Sequence, residues 1–263
     1  MQKAYLLYSA EDAEKNQFFI EQLKKEGRTY DVELQLIIDA PSLCAKDYED
    51  GLFFWNRTRH TTISQQLEGH TRVINRSTVN DIANNKRKAL EFVTLLGIPT
   101  VPTIPLARLR EDDFPVIIKS LDGHGGTEVQ KCDTGQEVQL YIEQFSTYLI
   151  QPYIETNATD VRVWMIGSTI IGAVKRTGAP NDFRSNYTLG GSIERFSLTK
   201  QQQEMLQKIQ RALKSDYIGI DFLHVNSDQL LFNEMEDPVG ARSFYDLYDD
   251  NLPQLLWQHI MKS

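Results

Sequence analysis

Three prolines fall within nine residues at positions 97–105 (GIPTVPTIP), and neither a helix nor a central strand tolerates that spacing. Each proline fixes its own φ near −65°, removes a backbone donor and pushes the residue before it toward extended geometry. The segment reads as a hinge between two units, and the patterns on its two sides differ. Upstream, residues 4–8 (AYLLY) form a short buried-type strand. An acidic, helix-prone stretch follows, with apolar Phe18, Phe19 and Leu23 and a stop at Gly27. Residues 32–38 and 52–55 are two further strands, so the rhythm predicts a small α/β unit with a parallel sheet. Residues 77–96 read as one helix, with Ser77 or Thr78 as N-cap and Gly97 as C-cap.

Downstream the pattern changes to short strands and tight turns. Residues 116–119 and 148–151 are strands, and 161–166 and 169–176 flank the two-residue turn Gly167-Ser168. A helix at 200–213 precedes a second hairpin, from about 218 to 236. The prediction is an α+β unit attached to an α/β one.

Composition bounds the function classes. A chain of 263 residues with 41% hydrophobic and 24% charged residues is ordinary globular material, of one large or two smaller domains. With 28 Lys+Arg against 36 Asp+Glu, the net charge of −8 argues against non-specific binding to nucleic acid or anionic membranes. Cys44 and Cys132 have no metal-type or redox-type spacing, which fits reduced thiols in a cytosolic setting. The N-terminus carries no cleavage-type segment, and the most apolar stretch, 163–174, is broken by Gly167, Ser168 and Thr169. A soluble, cytoplasmic protein is expected.

The second hairpin carries the sharpest chemical signal. If its turn centres on Ser227-Asp228, Asn226 lies opposite Gln229 and Asp221 opposite Glu234, with Glu236 on the same face as Glu234. Like charges directly opposite on a sheet destabilise it, so three such carboxylates ask for a cation, and oxygen-only ligands suit Mg²⁺. The alternative is a solvent-facing acidic edge, and a one-residue slip of register would separate the carboxylates. A second signal is Gly123, His124, Gly125 and Gly126 after a strand ending in Lys119. Such a loop brings backbone N–H groups and a lysine to phosphate oxygens, although it lacks a Walker A ending and, taken alone, also reads as a plain hairpin turn. The third is Lys175, Arg176 and Arg184 with Asn186 and Gly190-Gly191, which either faces an anion or is a solvated basic loop. His60, His70, His224 and His259 show no ligand spacing, and Trp55 and Trp164 read as packing residues. Asn56 to Arg59 end a strand, where α/β domains place ligands; a surface loop is the other reading.

In this order the pieces resemble the ATP-grasp ligases, most closely their RimK-like branch. Asn84-Asn85-Lys86 before residues 95–103 (LLGIPTVPT) is similar to a helix-borne lysine and "GIPxxPT" entry. Residues 114–119 (FPVIIK) with the glycine loop resemble the nucleotide lysine and phosphate loop. Residues 149–154 (LIQPYI) resemble the adenine-binding hinge strand, Asp160 and Arg162 the "DxR" pair, and residues 183–186 (FRSN) with Gly190-Gly191 that branch's loop. Residues 219–221 (GID) and 233–236 (NEME) resemble the metal-binding strands. The similarity covers about residues 79–242.

The resemblance implies an α/β plus α+β ATP-grasp fold. A small N-terminal α/β domain (1–78) would precede two α+β subdomains (79–155 and 156–263) that sandwich ATP. It implies that Lys86 and Lys119 contact ATP phosphates under Gly123, Gly125 and Gly126, that Gln151, Tyr153 and Ile154 line the adenine pocket with Asp160 also on the cofactor side, and that Asp221, Glu234 and Glu236 hold two Mg²⁺, with Mn²⁺ as a substitute. Arg176, Arg184 and Asn186 would take the catalytic role, contacting phosphates or the substrate carboxylate. The implied reaction is ATP-dependent ligation: a carboxylate attacks the γ-phosphate, and an amine then attacks the acylphosphate to form an amide. An amino acid, peptide or protein tail would be the substrate, without nucleic acid or membrane, and homo-oligomerisation is implied only at family level. Glu236 departs from the family's usual Asn, and residues 237–242 (DPVGAR) from its usual continuation. A catalytically reduced, nucleotide-binding module is the alternative.

Overall fold

The structure is a computed structural model that describes residues 1–123, 126, 128–179, 185, 191–226 and 229–262. His124, Gly125, Arg184, Asn186, Gly190 and the hairpin turn at Ser227-Asp228 lie outside the described residues.

The chain begins with β1 (Gln2–Tyr8), α1 (Ala10–Lys15), α2 (Gln17–Thr29), β2 (Val32–Ile38), β3 (Phe53–Asn56), α3 (Thr62–Leu67) and β4 (Arg72–Ile74). The four strands form a parallel sheet in the order β2-β1-β3-β4. β1 is central and buried on both faces. Ala4, Leu6 and Tyr8 join one apolar cluster and Tyr5 and Leu7 another, which is why residues 4–8 carry no polar alternation. In α2, Phe19, Ile20 and Leu23 face the core, whereas Phe18 is 66% exposed, so the expected apolar face is rotated by one residue.

Residues 77–96 are not one helix. They divide into α4 (Ser77–Ala83) and α5 (Lys86–Leu95), with Arg76 rather than Ser77 or Thr78 as the first N-cap. Asn85 caps α5 by accepting from the Lys88 N–H at 3.1 Å, while the Asn84 amide donates to the Asp237 carbonyl at 2.5 Å. Two adjacent asparagines thus compete with the helix for backbone groups, and the second helix starts anew at Lys86. Leu96 closes α5, and Gly97 follows it at φ +67°.

A three-stranded antiparallel sheet follows, from β5 (Val116–Ser120), β6 (Val129–Cys132) and β7 (Tyr148–Pro152), with α6 (Gly135–Gln144) packed on it. The five-stranded sheet contains β8 (Thr159–Ile166), β9 (Thr169–Thr177), β10 (Ser192–Arg195), β11 (Tyr217–His224) and β12 (Leu230–Glu236), in the order β10-β9-β8-β11-β12. Between β10 and β11 runs α7 (Lys200–Leu213), and α8 (Arg242–Leu247) and α9 (Leu252–Ile260) end the fold.

The five-stranded sheet has two dissimilar faces. Val161, Val163, Met165, Ile218, Ile220 and Phe222 meet Leu206, Ile209 and Leu213 of α7 and the apolar sides of α4 and α5. On the opposite face, Trp164, Ile166 and Tyr217 pack with the N-terminal sheet and α9. There Trp257 donates to the Leu23 carbonyl at 2.9 Å and stacks on Tyr30. The proline segment straps the sheets together: the Phe232 N–H donates to the Pro99 carbonyl at 2.8 Å, and the Ile104 N–H to the Ile150 carbonyl at 2.8 Å.

Candidate functional site

A cleft of roughly 1000 Å³, counted to its open mouth, lies between the three-stranded and five-stranded sheets. Lys86, Lys119, Gly123, Gly126, Gln151, Tyr153, Ile154, Asp160, Arg176, Glu234 and Glu236 line it, so the expected residues that are described converge there, with Asp221 just beneath. Lys119 points out of β5 and donates to the Asn233 side-chain oxygen at 2.8 Å. Lys86, at the start of α5, donates to the Gly123 carbonyl and lies 3.6 Å from Glu234. Gly123 allows this turn because a Cβ there would stand 2.2 Å from Ser120 Oγ, and Gly126 holds φ +73°. Gln151 reaches the cleft while its amide donates to the Val101 carbonyl at 2.8 Å, and the Lys131 ammonium sits 4.2 Å from the centre of the Tyr153 ring.

Asp221 faces Glu234 across β11 and β12, and Gly219 faces Glu236. The pairing follows from a bulge rather than a uniform register. Near the turn Phe222 faces Phe232 and His224 faces Leu230, and the shift between Asp221 and Phe222 supplies the extra residue that restores Asp221 to Glu234. Leu230 and Phe232 therefore point into the apolar cluster with Met235, while Asn233, Glu234 and Glu236 line the cleft. Asn233 is part of the NEME motif in the sequence but has no role assigned to it there. Its signal was the change of phase between Phe232 and Met235, which plain alternation forbids.

Carboxylate oxygens of Asp221, Glu234 and Glu236 lie within 4.8 Å of one another. Each carboxylate is also held by a cation. Arg162 makes a two-pronged contact with Asp221, at 2.8 and 2.6 Å, and donates to Glu236. Arg176 bridges Asp160, at 2.7 and 2.5 Å, and Asp221, at 2.8 Å. Burial alone would raise the Asp221 carboxyl, but the two guanidinium groups outweigh it and hold it at about 2. Burial prevails at Asp160 and Glu236, whose carboxyls are pushed up despite Arg176 and Arg162. Burial likewise pulls the Lys119 ammonium down to about 8, with Lys86 adding to the shift and Glu234 opposing it. Three oxygen-donor side chains this close, two of them on the cleft wall, fit a divalent cation of the Mg²⁺ class.

Asn56, Arg57 and Thr58 are buried, so they are not the surface loop that the sequence also allowed. Cys132 is buried and its thiol is pushed up to about 11, chiefly by burial; Cys44 is exposed. Trp55 and Trp164 are fully packed.

A family model for the RimK-like ATP-grasp domain matches residues 100–255. The chain belongs to that family. This RimK-like ATP-grasp protein is 26% identical over 265 residues to the uncharacterized protein MG011 of Mycoplasma genitalium, covering 98% of the chain and 92% of the relative. It is 29% identical over 170 residues to a probable alpha-L-glutamate ligase of Picosynechococcus sp., covering 59% of the chain and 56% of that relative. The crystal structure of D-cycloserine synthetase DcsG matches with a TM-score of 0.78 over 99% of both chains at 13% identity. The fold is therefore the ATP-grasp fold, with the mixed α/β and α+β composition expected from the resemblance. ATP and a divalent metal ion are the general ligands of the ATP-grasp family. Among the described residues no helix is long and apolar enough to cross a membrane.

Proposed function

We propose that the chain is an ATP-dependent carboxylate–amine ligase that works through an acylphosphate. The observation that carries this reading is a shared wall. Arg176 and Glu236 line the nucleotide-side cleft and also a second cleft, which opens toward Arg57, Arg242 and Tyr245. A phosphoryl donor on one side and a carboxylate on the other would meet at these two side chains.

In this reading Lys86 and Lys119 bind the phosphates, and Gly123, Gly125 and Gly126 cover them. Tyr153 and Ile154 flank the adenine, with Gln151 fixing that wall through Val101. Asp221, Glu234 and Glu236 would hold two Mg²⁺, which when bound neutralise phosphate charge. Arg176, held in place by Asp160, offers its charge where the transferred phosphoryl and the attacking carboxylate approach each other, the electrostatic contribution that dominates phosphoryl transfer. Arg184 and Asn186 are assigned to the same reaction from their place in the FRSN motif. Coverage of the cleft excludes water, which would otherwise hydrolyse the acylphosphate. The substrate is an amino acid, a peptide or a protein tail.

The test is Mg-dependent ADP formation with a panel of carboxylates and amines, repeated in Glu234→Gln. Glu234 is partly exposed and, among the described residues, pairs with Lys86 alone, so the variant should fold normally and lose roughly 100-fold or more in turnover. A nucleotide-binding module without ligation is the second reading. It is favoured by one observation, that both Asp221 oxygens are already engaged by arginines. Saturable Mg–ATP binding with no ADP formed from any pair of the panel would select it.

A further inference from the structure

Arg57, directly after β3, is 3% exposed and lines the second cleft. Its Nε donates to the Tyr8 hydroxyl at 3.1 Å and one Nη to the Val239 carbonyl at 2.9 Å, while the other, Nη1, has no partner among the described residues. The rings of Tyr8, Phe19, Trp55 and Tyr217 surround the guanidinium, with centroids 5.5–5.8 Å away. Such rings stabilise a cation but do not neutralise it. Arg57 forms no ion pair with a carboxylate among the described residues. Asp237 acts on it through space, while the Asp237 carboxylate accepts from the Asn80 amide at 3.2 Å. A guanidinium keeps its charge even when buried, and a buried charge with no counter-ion in direct contact is costly.

The surroundings are short of partners too. The Tyr245 hydroxyl, on the wall of the same cleft, and the neighbouring Tyr217 hydroxyl are buried without hydrogen bonds among the described residues. Arg242 is an exposed second cation on this wall, and no ion pair of it occurs among the described residues. All of this sits beyond the carboxyl ends of β1 and β3, where open parallel sheets bind ligands.

We propose that Arg57 binds a carboxylate of the substrate in the second cleft, a carboxylate other than the one that is phosphorylated, and that Arg242 completes the site. The proposal rests on the ligase reading and deepens it. The substrate is an amino acid or peptide end that presents a free carboxylate to Arg57 while its reacting group lies at the Arg176–Glu236 wall. The planar guanidinium and the hydroxyl donor of Tyr245 suit that anion.

The experiment is a calorimetric titration of the intact protein with a panel of L-amino acids and short acidic peptides, each paired with its C-terminally amidated form, with and without Mg–ATP. Arg57→Lys and Arg242→Gln are titrated in parallel. At least one free acid should bind, amidation should weaken it about ten-fold or more, and both variants should weaken the same acid by a similar factor while keeping the Mg–ATP affinity of the parent. Equal binding of acid and amide, the absence of any acid that binds, or parent-like binding by both variants overturns the proposal. Arg242 is exposed, so its variant decides the matter even if Arg57→Lys does not fold. Failure of Mg–ATP to bind would instead strike the ligase reading, and the titrations without nucleotide keep the two failures apart.

Discussion

The Lys119 ammonium donates to the Asn233 side-chain oxygen at 2.8 Å, and this bond ties β5 of the small sheet to the bulged part of β12. It places a desolvated cation on one wall of the cleft, opposite the carboxylates on the other.

Lys119 should make nucleotide binding fall as the pH rises. With its ammonium at about 8, the group is roughly 90% charged at pH 7 and about 10% charged at pH 9. Affinity for Mg–ATP should therefore drop about ten-fold over that interval, and Lys119→Arg, charged throughout, should flatten the profile. Calorimetric titrations at several pH values measure this, and a flat profile in the parent protein would remove Lys119 from the phosphate site.

Asp221→Asn should destabilise the fold far more than Glu234→Gln does. Asp221 is 1% exposed and holds both Arg162 and Arg176, so its removal leaves two buried guanidinium groups short of an anion, at a cost of about 3–5 kcal/mol. Its carboxyl is held below its unfolded value. The stability it contributes is thus present above about pH 4 and is lost as the pH falls toward about 2. Denaturant unfolding of both variants at pH 7 checks the ranking.

Asn75→Ala should loosen the joint between the N-terminal sheet and β11. The Asn75 amide donates to the Tyr217 carbonyl at 2.6 Å, and its oxygen accepts from the Tyr217 N–H at 3.1 Å. Alanine leaves both backbone groups unpaired inside the protein, a loss of about 2–4 kcal/mol. Urea midpoints should show it as a shift with an unchanged slope.

Gly219→Ala should overpack the segment beyond β12. A Cβ at Gly219 would stand 2.4 Å from a Val239 methyl group, and Val239 is 1% exposed. The expected cost is about 1–3 kcal/mol, read by thermal unfolding. Because the Val239 carbonyl accepts from Arg57, the variant should also bind substrate acids more weakly while Mg–ATP affinity holds.

Much of this architecture is legible in local pattern. The uninterrupted apolar run at residues 4–8 marks a strand buried on both sides, and β1 is that strand. The helix at 200–213 follows from its period and its Thr199 cap, and the Gly167-Ser168 turn from the left-handed glycine it needs. These are decisions that neighbouring residues make among themselves, through backbone sterics and the 3.6- and 2-residue periods. Asp221 opposite Glu234 was legible for a less secure reason. Uniform pairing from the supposed turn reached the right partner, but the protein reaches it through a bulge.

What only the tertiary structure decided is how distant groups satisfy one another. The break between α4 and α5 depends on an Asp237 carbonyl 153 residues from Asn84. Asn233 became a partner of Lys119 because a bulge turned it toward the cleft, and Arg57 became a buried cation because β3 ends against β11 and the segment after β12. Spacing along the chain names the residues able to carry charge. Which of those charges are buried, paired or left for a ligand depends on desolvation and on contacts between remote segments, and those exist only once the sheets have closed on one another.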